Sequence, residues 1–412
     1  SREPGGYYGR PCSLGQFNTH YIGGVAHELG HAFGLPHDCE RDSERPTRGR
    51  SLMGSGNHTY GQERRGEGKG TFLSAASALP LSVHPLFTGK RAAELPAKFS
   101  LADLEVSQGR EQLSIKGRLE GPTPAIGIVA HNDPQSKSGD YDAVGWTTVP
   151  QGDGRFELAI GELKSDEYRL RLKAYVASGD SGTIVSTDYR VDSSLRPDVR
   201  PLRDTYWLTR ASDAFRSRNG NQLDAIAAEL KVRFPDDSAL QRNVEHLRSL
   251  MSPAAPKALD AIDSTAAEVS LADVQFASAS VGWGSPLRNQ VLPEAGMPCL
   301  IRVGGDFFDS GLYAHAPARY RFRVNGQWSV FASQFGLQDG KNGSVVFVVK
   351  GDGNELFRSP KVSDHQLRKV EVNIAGIQNL ELLVEDAGDG NSSDWAVWVD
   401  PTLRRAAAAN SR

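Results

Sequence analysis

The chain has 412 residues, 39% of them hydrophobic and 24% charged, with a formal net charge of −3. That length divides into two to four domains. No run of 18 apolar residues is available to cross a membrane, and the evenly mixed charges offer no basic stripe for nucleic acid or anionic lipid. Cys12 and Cys39 bracket a histidine-rich stretch and are either a disulfide closing it or two free thiols. Cys299 has no evident mate and suits a buried small hydrophobe. The chain starts at Ser1 with no visible signal peptide, so its compartment has to be argued from function.

The first predicted element is a helix. Ile22, Ala26, Leu29 and Phe33 recur at three- and four-residue spacing and mark one apolar face. Asn18 or Thr19 can cap its start, and Gly34 and Pro36 stop it. His27 and His31 lie one turn apart, so both imidazoles leave the same face, within reach of one zinc ion. Gly34 allows a sharp turn that can bring His37 round as a third nitrogen ligand. Three protein ligands leave one tetrahedral position open, the pattern of catalytic zinc. Glu28, beside the first ligand, is placed to act as general base.

The pattern His27-Glu28-x-x-His31-x-x-Gly34-x-x-His37 resembles the metzincin metallopeptidase signature. "SLMGSG" at 51–56 resembles that family's methionine turn, with Met53 beneath the metal, and Asp38 after the third histidine is similar to several branches. Ser55 stands where some branches carry a tyrosine, and Tyr60 is further on, so a tyrosine ligand or oxyanion donor is not implied. The resemblance covers residues 15 to about 65, extending toward 95. It implies a twisted sheet and a helix ahead of the zinc helix, for which the residues before His27 are too few, so the expectation is a catalytic domain lacking its N-terminal subdomain. A zinc-blocking propeptide cysteine would precede a whole catalytic domain, which Cys12, 15 residues before His27, does not.

A Gly-rich charged loop, "GQERRGEGKG", leads to "TFLSAASALPLSVHPLF", read as a helix closing this part, with His84 structural. From about residue 97 the period becomes two: "EQLSIKGRL", "AIGIVAH", "RFELAIG", "YRLRLKAYVA" and "TIVSTDYRV" predict an antiparallel immunoglobulin- or fibronectin-like sandwich. It carries no catalytic constellation; His131 reads as structural and the domain as a spacer or docking module. Residues 200–252 predict two or three amphipathic helices broken at Asn219-Gly220 and Pro235-Asp236, packed on a neighbour.

The last 140 or so residues return to strands and predict a jelly-roll sandwich. Gly282-Trp283-Gly284, the stretch Gly311–Pro317, the Gly351-Asp352-Gly353 turn and Asp394-Trp395 occur in an order that resembles the NPCBM family, a carbohydrate-binding-type module, over about 270–403. Sugar binding of that kind implies an aromatic face with hydroxyl-bonding partners, for which Trp283, His315, Asp394 and Trp395 are the candidates; each is alternatively a core or strand-end residue. Asp386, Asp389, Asn391 and Asp394 in one loop offer oxygens for calcium, or form an ordinary Asp/Gly-rich turn.

The expected architecture is therefore multidomain: an α+β metzincin-like zinc-helix fragment (1–95), an all-β immunoglobulin-like sandwich (96–196), a helical connector and linker (197–265), an all-β jelly-roll sandwich (266–405) and a tail (406–412). The expected function is a secreted, zinc-dependent endopeptidase acting on protein or glycoprotein and targeted to cell-surface or matrix glycan by its C-terminal module. The alternative is a non-catalytic glycan-binding or adhesion protein carrying an incomplete protease domain. Carbohydrate hydrolysis is a weaker third, since no paired carboxylates stand in a recognisable catalytic setting.

Overall fold

A computed structural model describes residues 2–7, 10–89, 97–137, 140–294 and 297–405. The boundary expected at 95/96 and the tail at 406–412 lie outside them. The chain divides into two compact units, Ser1–Tyr206 and Trp207–Arg412.

In the first unit a hairpin of Arg2–Tyr7 and Arg10–Ser13 leads into helix α1 (Leu14–Ala32). The cap is Ser13, not Asn18 or Thr19. Its hydroxyl accepts from Gln16 N at 3.2 Å, and Gln16 Oε1 accepts from Ser13 N at 2.9 Å. This capping box satisfies two end donors at once and starts the helix earlier than the apolar periodicity indicates. The expected apolar face is also corrected: Ile22 and Leu29 are 54% and 50% exposed, and the buried residues of α1 are Gly23, His27 and Gly30. The helix packs by its glycines because the chain beneath comes too close for side chains. A Cβ at Gly23 would run into Asn57 O, and one at Gly30 into Met53 Sδ.

Seven antiparallel strands follow: β1 (Ser100–Gly109), β2 (Gln112–Glu120), β3 (Ala125–Pro134), β4 (Val144–Thr148), β5 (Arg155–Ile160), β6 (Asp166–Val176) and β7 (Ser181–Val191). Sheets β1-β2-β5 and β7-β6-β3-β4 form a three-on-four sandwich, two strands more than the five segments the alternation marks. β5 buries Phe156, Leu158 and Ile160 and exposes the residues between. Near the start of β6 the Tyr168 hydroxyl donates to Lys164 O (3.2 Å) and accepts from Lys164 N (3.0 Å), the tyrosine corner of immunoglobulin-like sandwiches.

Sandwich and zinc-helix fragment are expected as separate domains, yet within this unit they share a core. Helix α2 (Ala75–Val83), capped by Ser74, packs Ala76 and Val83 against Val129 and Tyr175. Cys39 N donates to Ala143 O at 2.7 Å, and Cys39 pairs with Val144 in a parallel bridge. Of the alternatives for Cys12 and Cys39, the structure has free thiols. His84 caps a short turn, its Nδ1 accepting from Leu86 N at 3.3 Å. His131 is buried in β3, and burial lowers its pKa to about 4.

The second unit opens with helices. α3 (Arg200–Arg216) carries across the division, and α4 (Gly220–Arg233) and α5 (Ser238–Ser249) are capped by Asn219 and Asp237, at the breaks the sequence marks. They dock on the C-terminal sandwich. Cys299 N donates to Ser212 Oγ at 3.1 Å, Arg216 Nη1 to Glu294 O at 2.8 Å, and His246 Nε2 lies 2.7 Å from Asn289 O. One sandwich sheet runs Leu287–Arg288, Gly311–Tyr313, Ala396–Arg404, Val330–Leu337, Arg368–Asn373, with Glu268–Ser270 also on Ala396–Arg404. The other runs Ser278–Ser280, Ala318–Arg323, Asn379–Asp386, Val345–Gly351, Asn354–Arg358. Between them Phe335, Phe347 and Trp398 interlock at centroid separations of 4.6 to 5.8 Å. Phe347→Ala therefore removes the middle of an aromatic cluster. It should cost about 3–5 kcal/mol, seen as a lower urea midpoint with unchanged slope.

Candidate functional site

The histidines converge as their spacing predicts. α1 presents His27 and His31 one turn apart. Gly34, at φ 80°, then reverses the chain, with Gly34 N donating to His31 O (2.8 Å) and Leu35 N to Gly30 O (3.1 Å). His37 returns to the helix on the far side of that turn. His31 Nε2 lies 3.1 Å from His27 Nε2 and 3.0 Å from His37 Nε2. Among the described residues this is the one group of three or more His, Cys, Asp or Glu side chains within metal reach.

The fit to a cation can be judged from protonation. His27 Nδ1 is 2.7 Å from Leu52 O, and His31 Nδ1 is 2.9 Å from Leu35 O. A carbonyl only accepts, so each Nδ1 carries the proton and each Nε2 keeps its lone pair. Lone pairs facing one another at 3 Å repel unless a cation lies between them. Zinc–nitrogen bonds of about 2.0–2.1 Å in a tetrahedron put ligand nitrogens roughly 3.3 Å apart, close to what is seen. The residues fit zinc.

Beneath the group, Met53 is fully buried against Gly30. Asp38, next to His37, is a buried hub. Its Oδ1 accepts from Ser51 Oγ at 2.5 Å and its Oδ2 from Ser74 Oγ and Ser77 Oγ at 2.7 Å each. Burial holds its carboxyl above the ordinary range, and the three hydroxyls oppose that. Glu28 stands on the exposed side of α1 beside His27. Tyr60 packs against Gly23 and is not part of the group. Nor are the cysteines; burial pushes the Cys39 thiol up to about 12.

One residue at the centre is absent from the sequence-based candidates. Tyr141, in the turn between β3 and β4, lays its ring on His37 with centroids 3.7 Å apart and planes 26° off parallel, and is 55% exposed. Nothing local marks it, since it is about a hundred residues downstream and reaches the histidines only through the fold.

The glycan candidates separate. Trp283 is 60% exposed, whereas His315, Asp394 and Trp395 are 5%, 1% and 4% exposed. Trp395 is corrected as a stacking platform, because its ring lies 5.2 Å from Tyr313 and beneath Lys341 Nζ at 4.1 Å. The others meet at one end of the sandwich. Gly282 N donates to His315 O (2.9 Å), Ala316 N to Asp394 O (3.2 Å) and Asn391 Nδ2 to Ala316 O (3.3 Å). Asp394 Oδ1 accepts from Ser344 N at 2.8 Å, while among the described residues no donor reaches its buried Oδ2. Beside it lies a groove of ≈ 530 Å³ lined by Asn342, Ser344, Lys361, Ser363, Asp389 and Ser392.

The calcium expectation finds a different arrangement. Asp389 accepts from Ser344 Oγ (2.7 Å) and Lys361 Nζ (2.7 Å), and the carboxylates of Asp386, Asp389 and Asp394 do not converge.

With this geometry in view, the comparisons can be placed. Residues 267–404 match the NPCBM/NEW2 domain, so the C-terminal sandwich is a module of that type. A putative endo-alpha-N-acetylgalactosaminidase of Renibacterium salmoninarum is 35% identical over 128 residues, covering 29% of this chain. The matched part spans 8% of that relative's length. OgpA of Akkermansia muciniphila is similar at 27% identity with a TM-score of 0.38, over 43% of this chain and 51% of that one. The CBM51 of a Clostridium perfringens GH95 protein, solved with methyl-galactose, is similar at 26% identity with a TM-score of 0.30, over 33% of this chain and 99% of that one.

Asp38→Ala would leave the hydroxyls of Ser51, Ser74 and Ser77 buried around a void. The expected loss is at least about 1–3 kcal/mol, read by thermal unfolding, with zinc affinity falling about tenfold or more in a titration as the His37 segment loosens.

Proposed function

We propose that the chain is a zinc-dependent peptidase acting on glycoproteins, with its metal centre at His27, His31 and His37 and a glycan-binding module at 267–404. The observation that carries the first half is the convergence of the three imidazoles, His31 Nε2 lying 3.1 Å from His27 Nε2 and 3.0 Å from His37 Nε2, with the lone pairs of His27 and His31 fixed by carbonyl acceptors on Nδ1. Bound there, zinc supplies Lewis acidity for a carbonyl and a water of lowered pKa. Glu28 takes the proton from the attacking water and hands it to the leaving amine. The exposed side of α1 where Glu28 stands gives it access to substrate. Met53 and the Asp38 hub keep the histidines in place without touching substrate.

The NPCBM-type match supports the second half. Trp283 offers an exposed ring for the C–H face of a sugar, and the groove lined by Ser344, Lys361 and Asp389 offers polar groups for hydroxyls. Glycan and glycoprotein ligands place the chain outside the cell or at its surface. Among the described residues no helix is long and apolar enough to cross a membrane.

A second reading is a glycan-binding protein whose protease part does not turn over. It is favoured by the family match, which falls on the module, and by α1, where Tyr21, Ile22, Val25 and Leu29 are at least half exposed. Purified protein decides between them. Under the peptidase reading it holds one zinc, lost in His31→Ala, and cleaves glycoprotein. Glu28→Ala then keeps the zinc and loses about 10²–10⁴-fold in rate. Glycan binding with no zinc-dependent cleavage establishes the second reading instead.

The two tryptophans give a separate check by glycan titration and thermal unfolding. Trp283→Ala should abolish binding while changing stability by no more than about 0.5 kcal/mol. Trp395→Ala should destabilise the module by about 3–5 kcal/mol.

A further inference from the structure

We infer that the outer face of the module's second sheet is an anion-binding face whose occupant is a sulfated glycan chain, held by Arg319, Arg321, Arg323 and Lys350. This binding requires neither the metal centre nor Trp283.

Charge is evenly mixed along the chain as a whole, but the pleat of the sheet sorts it here. Along Ala318–Arg323 burial alternates, so Ala318, Tyr320 and Phe322 enter the core while Arg319, Arg321 and Arg323 leave on the outer face, about 7 Å from one to the next. The register sets Glu381 of strand Asn379–Asp386 opposite Arg321, and Lys350 of strand Val345–Gly351 opposite Glu381 on its other side. A groove of ≈ 790 Å³ runs over these strands, lined by the four cations and by Asp352 and Glu381 as its acids.

Both acids are already engaged. Glu381 Oε2 accepts from Arg319 Nη2 at 2.6 Å and Nε at 3.0 Å, and its Oε1 accepts from Arg321 Nε at 2.9 Å and Nη2 at 2.7 Å. The Glu381 side chain is 5% exposed, against 48% and 47% for the two arginines. One carboxylate thus lies beneath two guanidiniums and fixes their planes, while the remaining N–H donors of each stay available. Asp352 accepts from Gln378 N at 3.0 Å and Asn379 N at 2.8 Å. Among the described residues Arg323 and Lys350 form no ion pair. The face therefore presents cationic donors that are ordered before a ligand arrives.

The lining also decides between anions. It holds no aromatic ring on which the bases of single-stranded nucleic acid could stack. Glu355 and Glu385, both bonded to Arg358, border it on the neighbouring strands, and they would repel a broad polyanion such as a duplex or a membrane surface. A narrow chain with anionic groups at intervals fits. Sulfate esters on a glycan meet that description, since they stay charged and offer paired oxygens to a guanidinium as a carboxylate or phosphate does. Ser278 and Asn379, also in the lining, bring a hydroxyl and an amide for sugar hydroxyls.

The test is titration of the full chain, at rising salt, with heparin, with desulfated heparin that keeps its carboxylates, and with a single-stranded DNA oligomer. The variants are Arg323→Ala/Lys350→Ala, which leaves Glu381 paired, and Trp283→Ala. The expected result is heparin binding that weakens with salt and falls about tenfold or more in the double variant, with an unchanged unfolding temperature and wild-type heparin affinity in Trp283→Ala. Desulfated heparin and DNA should bind about tenfold or more weakly than heparin. No heparin binding by the wild type, or equal affinity in the double variant, overturns the inference and leaves the reading at Trp283 standing. An equal loss in Trp283→Ala moves the chain to the other site and overturns it too. Equal binding of desulfated heparin or of DNA overturns the assignment to sulfated glycan.

Discussion

Nε2 of His27 and of His31, each left with a lone pair by the carbonyl at its Nδ1, face one another at 3.1 Å, with His37 Nε2 3.0 Å from His31 Nε2; such neighbours repel unless a cation lies between them. The rest of the first unit is organised around holding them there. Carbonyls of Leu52 and Leu35 fix the protons on the far side of two rings. Glycines on α1 let the Met53 turn approach closely enough to bring Leu52 under His27. A Cβ at Gly56 would strike the backbone of Ser51, so that turn also needs its glycine. The close approach of the histidines is thus supported by a surrounding shell of backbone contacts.

Asp38 extends that shell to the sandwich. A buried carboxylate is costly unless its oxygens are satisfied, and here three serines from two separate segments converge on it. Moving the turn at Ser51, the start of α2 or the His37 segment would break at least one of these bonds. Because α2 packs on Val129 and Tyr175, the constraint reaches β3 and β6. A sandwich that reads as a spacer in the sequence is therefore mechanically coupled to the third ligand, by the carboxylate hub, by the Cys39–Val144 bridge and by Tyr141.

Legibility in the sequence followed the range of the interactions. His27, His31, Gly34 and His37 sit within eleven residues, so helix geometry and one positive φ predict their convergence. Five of the seven strands were legible because alternation is local; Ser100–Gly109 and Val144–Thr148 were not. The buried face of α1 was not: hydrophobic periodicity pointed to Ile22 and Leu29, while close backbone approach selected Gly23 and Gly30. The apolar run places the cap at Asn18 or Thr19, whereas the capping box of Ser13 and Gln16 starts the helix earlier. Trp283 and Trp395 each sit beside turn residues, and only the packing of Tyr313 and Lys341 distinguishes platform from core. Tyr141 depends on a long-range contact that no window of sequence contains.

Under the proposed reading, a metal centre and an NPCBM-type module in one chain act together through their linkage alone. A module that holds a glycan on the substrate converts the second encounter into an intramolecular one, at an effective concentration set by the connection. Affinity at the module can then be modest, which suits a module whose one large exposed aromatic ring among the described residues is Trp283. Under the proposed peptidase reading selectivity divides in two: the module selects which molecules are held, and the groups around His27, His31 and His37 select which bond is cut.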